Sequence, residues 1–107
     1  MTDGFDFGTE DVLEAEIEAI YQAINSGTLR ISKHAQNEAW LDGLSREDVL
    51  DIVALYDEVS KDMPDNSLGR APGLNFERGL YGGVRALAKV GWNGYGFYIV
   101  VTVLVKR

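Results

Sequence analysis

The chain has 107 residues, 46% of them hydrophobic, and a formal charge of −7, which fits one globular domain with a single modest core. It contains no cysteine, excluding disulfides, thiolate nucleophiles and sulfur-rich zinc sites. The longest apolar run, Phe97 to Val105, is too short to cross a bilayer as a helix. No signal-like leader opens the sequence, so a cytoplasmic protein with no membrane partner is the expectation.

Residues 1–8 show no periodicity and read as a flexible lead-in to a single domain over 9–107. Thr9 is the expected N-cap of a first helix, with Glu10 and Asp11 at its positive end. Val12, Leu13, Glu16, Ile17, Ile20, Tyr21 and Ile24 recur at helical spacing, and Gly27 supplies a left-handed stop. Ser32 caps a short second helix reaching about Trp40. Ser45 caps a third, with Asp48 placed as in a capping box. Lys61 to Gly73 holds both prolines and reads as a loop with a short strand before it. Val84, Ala86, Ala88 and Val90 alternate with Arg85, Leu87 and Lys89 as in a strand. Asn93-Gly94 signals a hairpin turn, and Phe97 to Val105 is β-branched and apolar on both faces, as in a central or doubly covered strand. Helices first and strands afterwards predict an α+β fold, with N-terminal helices packed on a small C-terminal antiparallel sheet of about three or four strands.

Charge is unevenly placed. Seven acids and no base occupy residues 1–18, whereas residues 66–107 hold Arg70, Arg78, Arg85, Lys89, Lys106 and Arg107 against Glu77 alone. The C-terminal half can therefore offer a basic face on an acidic chain.

Three stretches carry a family resemblance: Ile17 to Ile20; Gly27 to Leu29 with Ser32, His34 and Ala35; and Gly43 to Ser45 with Glu47 to Val49. Together with Arg85 to Val90 and Val101-Thr102-Val103, they resemble the bacterial family designated domain of unknown function 4258 (DUF4258). The resemblance implies an α+β fold similar to RelE/ParE-type and BrnT-type toxins. It also implies toxin-like activity of the ribonuclease or gyrase-poison kind and an antitoxin-like protein partner. Family members commonly carry Arg where this chain has Glu38, and Asp42 likewise replaces a basic residue, reversing charge beside the only histidine.

His34 is that histidine, and imidazole is the side chain that titrates near neutrality without special tuning. Glu38 lies four residues on, on the same helical face. Metal-independent RNA cleavage needs a base for the 2′-hydroxyl, an acid for the leaving oxygen and cations around the phosphorane. His34, Glu38 and Arg85 are the catalytic candidates, with Arg70, Arg78 and Lys89 as substrate-binding cations. One histidine with scattered carboxylates has no metal-ligand spacing, and no Gly-rich phosphate loop is present, so neither metal nor cofactor is expected. Trp92, Tyr95, Phe97 and Tyr98 offer either a stacking platform for bases or cross-strand packing. Two functional readings follow: a toxin-like endoribonuclease binding RNA, or a noncatalytic acidic protein-binding module such as a phage- or plasmid-encoded inhibitor or regulator. The doubly apolar last strand makes a homodimer compatible with both.

Overall fold

The computed structural model describes residues 4–64 and 72–106. The first helix, α1, runs Glu14–Asn25, starting later than the sequence predicts. Thr9 accepts a hydrogen bond from the Asp11 amide (3.1 Å) in a turn of its own. The N-cap is Leu13, whose amide is satisfied by the Glu16 side chain (2.8 Å) reaching back one turn. Gly27 ends the helix with φ 74°, and the amides of Thr28 and Leu29 close onto the Ala23 carbonyl.

Strand β1 (Arg30–Ile31) follows, then α2 (Lys33–Leu41) and α3 (Arg46–Ala54). The Ser32 hydroxyl caps α2 by accepting from the Ala35 amide (3.0 Å). Ser45 and Asp48 form the reciprocal box that opens α3. Strands β2 (Glu58–Asp62), β3 (Gly73–Gly79), β4 (Arg85–Trp92) and β5 (Tyr98–Lys106) complete the described elements.

The sheet is larger than expected and mixed rather than purely antiparallel. Its order is β1-β5-β4-β3-β2. The C-terminal strands pair antiparallel, and β1, from the N-terminal half, lies parallel to β5. Asn93 organises the β4–β5 turn, its side-chain oxygen accepting from the amides of Tyr95 (2.8 Å) and Phe97 (3.1 Å). Gly73 opens β3 where the chain presses on β4: a Cβ there would sit 2.2 Å from the Val90 carbonyl oxygen.

The helices cover one sheet face. Leu74, Phe76, Ala88, Val90, Val100 and Val103 point into the core against Ile20, Ala35, Val49 and Ile52. Burying Phe76 alone contributes on the order of 2 kcal/mol. Alanines at 35 and 39 let α2 approach β5 closely. The other sheet face bears Asn75, Glu77, Arg85, Leu87, Lys89, Thr102, Leu104 and Lys106, as strand alternation and register require. A bulge at Lys89/Val90 shifts the β5 register by one residue, so the core-facing positions pass from Tyr98 and Val100 to Val103 and Val105. Leu104 on the uncovered face is 49% exposed. Among the described residues no helix is long and apolar enough to cross a membrane.

Candidate functional site

Capping by Ser32 places His34 in the first turn of α2, where it is exposed, with Nε2 3.3 Å from Glu38 Oε1. The same Glu38 oxygen accepts a hydrogen bond from the Val103 amide (3.0 Å). That second bond has a topological cause. Strand β1 is two residues long and pairs with Ile99 and Val100, so beyond them the outer edge of β5 has no strand partner among the described residues. Glu38 takes up one of the amides left there and ties α2 to the sheet. This carboxylate is engaged in structure, and His34 leans on it from solvent.

Arg85 and Lys89 project from the uncovered sheet face, away from α2. Arg85 pairs with Asp57 and, through Nε, with Glu77 at 3.1 Å, and it lies 3.9 Å from Glu58. Lys106 pairs with the other Glu77 oxygen, and Lys89 pairs with Asp62. The Gly79 amide donates to Asp57 (2.8 Å). That bond first, and Arg85 second, hold the Asp57 carboxyl below the usual carboxylate range. Lys106 first and Arg85 second do the same for Glu77. Asp57 and then Glu77 raise Arg85 in return. Arg78 stands on the helix-covered side of β3, with no ion pair among the described residues, and acts on Asp57 only through its field. Arg70 lies outside the described residues. The described candidates thus divide into an α2 pair at the β5 edge, Arg85 and Lys89 on the uncovered sheet face, which already hold carboxylates, and Arg78 on the opposite side of β3.

The aromatic cluster packs internally: Trp92 on Tyr98 (4.9 Å between centroids) and Phe5 on Tyr98 (5.4 Å). Arg30 covers the Phe97 ring at 4.0 Å. Tyr95 is exposed. Among the described residues no group of three or more His, Cys, Asp or Glu converges as a metal site would.

One set of polar residues escapes sequence reasoning. Glu16 is only 5% exposed, and its Oε1 lies 3.0 Å from the fully buried Lys61 ammonium. Its Oε2 accepts from the Asp6 amide (2.8 Å), while Lys61 donates to the Asp6 carbonyl (2.6 Å). The Gly4 amide meets the Tyr98 hydroxyl (3.2 Å). Residues 4–8, expected as a loose lead-in, are therefore bonded to α1, β2 and β5. The signal in the sequence is an acid on the apolar stripe of α1. Every described acceptor of this set is bonded within the fold, which makes it a latch.

On the helical side the pattern inverts. Glu14 and Glu18 on α1 and Glu47 and Asp51 on α3 are exposed, and none has an ion pair among the described residues. Among the described residues Glu18 accepts from the Gln22 side-chain amide alone (2.8 Å). Comparison with known proteins adds no relative to this description: no family model, curated protein or solved structure matches the chain.

Proposed function

We propose that this domain is a noncatalytic protein-binding module that presents the acidic outer surface of α1 and α3 to a basic surface on its partner. The observation that carries this reading is the distribution of paired and unpaired charge. Arg85, Lys89 and Lys106, which a phosphate-binding face would have to free, are held by Asp57, Glu77 and Asp62. Releasing them to RNA would break those pairs and bring a polyanion to carboxylates. Glu38, which would serve as base or as histidine partner, also holds a strand amide through the same oxygen that faces His34. The exposed acids of α1 and α3 need no such release, and clustered carboxylates steer a basic partner into encounter.

The test immobilises the protein beside a variant with Glu14→Lys, Glu18→Lys, Glu47→Lys and Asp51→Lys, and passes host lysate over both. A stoichiometric partner should be retained by the native chain, released at high salt, and absent from the variant. Purified protein that cleaves RNA, with activity abolished by His34→Ala, would overturn the proposal in favour of the toxin-like reading.

A further inference from the structure

The helical side contains a groove, of volume ≈ 720 Å³, between the start of α1 and the segment joining α3 to β2. Val12, Ala15, Ile17, Tyr56 and Val59 give it an apolar lining, and Glu14 and Glu18 stand on its wall. The Tyr56 ring is fixed edge-on against Phe76, with 5.2 Å between centroids, so this wall is preorganised. Among the described residues no Lys, Arg or His lines the groove. Glu14 and Glu18 are like charges one helical turn apart, an arrangement that is mildly unfavourable in an isolated helix and that a cation between them relieves.

We infer that this groove takes a basic amphipathic helix of a partner protein, its apolar stripe against Tyr56 and Val59 and its cations on Glu14 and Glu18. The inference deepens the protein-binding reading and rests on it. Charge complementarity sets the sign of the ligand. Spacing sets its form: the two carboxylates are four residues apart on α1, a rise of about 6 Å, which matches two Lys or Arg four residues apart on a second helix. An apolar stripe framed by such cations is the helix-in-groove mode of recognition.

The probe is a labelled synthetic peptide of roughly 18 residues, five helical turns, built from Leu and Lys with the two segregated on opposite faces. Fluorescence anisotropy reports its affinity for the full chain. The comparison peptide has the same composition with the segregation scrambled. The segregated peptide should bind at least about tenfold more tightly than the scrambled one. Glu14→Lys with Glu18→Lys should cost about tenfold or more, since each reversal replaces an attraction with a repulsion. Glu47→Lys with Asp51→Lys, on the same side but outside the groove, should change affinity less than about threefold. The milder Glu14→Gln with Glu18→Gln should lose about threefold, and it decides the question if the reversal disturbs folding.

Equal affinity for the two peptides, or no loss on changing Glu14 and Glu18, overturns the groove. Equal losses from the α1 and α3 reversals also overturn it, while leaving a diffuse acidic docking surface and the broader protein-binding reading intact. Lack of a lysate partner for a chain whose groove still discriminates between the peptides would count against that broader reading alone.

Discussion

On the sheet face turned away from the helices, Arg85, Lys89 and Lys106 each meet a carboxylate, whereas Glu14, Glu18, Glu47 and Asp51 on the helical side meet no cation among the described residues. The first region resembles a closed electrostatic structure: its charges stitch β2, β3, β4 and β5 together. The second contributes charge without contributing cross-links. Net charge therefore misdescribes this molecule, because the acids that give it its sign are concentrated where they can act on something else. Substitutions in the paired set should weaken the fold, and substitutions in the unpaired set should alter binding while leaving the fold alone.

The largest effect is expected inside the fold. Glu16→Ala removes the partner of the buried Lys61 and also leaves the Leu13 and Asp6 amides without their acceptor. Breaking a buried pair from one side costs about 3–5 kcal/mol, so urea unfolding should show a large drop in midpoint. Glu16→Gln, which keeps an acceptor for one amide, should fall between the two. A loss below about 1 kcal/mol would mean that the pair behaves as a surface salt bridge.

Acid should act next, and on the uncovered face. The carboxyls of Asp57 and Glu77 are held below their ordinary range by the Gly79 amide, Lys106 and Arg85. Groups with depressed folded-state pKa values stabilise the fold fully above their unfolded-state pKa, and that contribution is lost as pH falls through the folded-state value. The melting temperature should therefore fall as pH drops below about 4.5. Glu77→Gln should start lower at neutral pH and fall less steeply. Parallel curves for the native chain and the variant would show that the network does not couple to stability. Arg85, raised further above its already high range, stays charged throughout this window.

Much of the fold is legible in the sequence because it is local. Ser32 and Ser45 sit where helix starts need acceptors, Asp48 completes the box, and Asn93 shapes the hairpin from within four residues. Most of what spacing does not reveal depends on distant partners or on masked alternation. Strand β1 is two residues that become a strand only because β5 offers an edge. Strand β3 is bracketed by glycines and follows a proline, which mask its alternation. The delayed start of α1 is a local effect: the Glu16 side chain reaches back to the Leu13 amide, while Thr9 bonds the Asp11 amide in a separate turn. For the site, the His34–Glu38 contact follows from helical spacing alone. The engagement of Arg85 by Asp57, and of Glu38 by Val103, cannot be read from spacing, since the partners are 28 and 65 residues apart.

A smaller effect separates the two members of the α2 pair. Glu38→Ala leaves the Val103 amide without its acceptor at the β5 edge, which should cost about 1 kcal/mol. His34→Ala removes only an exposed imidazole and should stay within about 0.5 kcal/mol. Denaturation of both variants checks the assignment of Glu38 as a structural tie. A larger cost for His34→Ala than for Glu38→Ala would reverse it.

The smallest effect tests the comparison at its weakest point, whether the unpaired acids of α1 support the fold after all. Glu18→Lys replaces a like-charged pair four residues apart with Glu14 followed by a cation, the favourable orientation for such a pair in a helix. It also removes the acceptor for the Gln22 amide group, an exposed bond that water replaces at little cost. The balance should be a stabilisation of about 0.3 kcal/mol, at the low end of helix ion pairs, visible as a small rise in melting temperature at low salt and gone at high salt. Glu14 is a different case, because it opens the helix and gains from the dipole there, so Glu14→Lys should be neutral to slightly destabilising. If Glu18→Lys instead destabilised the chain by more than about 1 kcal/mol, the acids of α1 would be part of the fold's own support. The contrast between a stitched face and a free one would then fail.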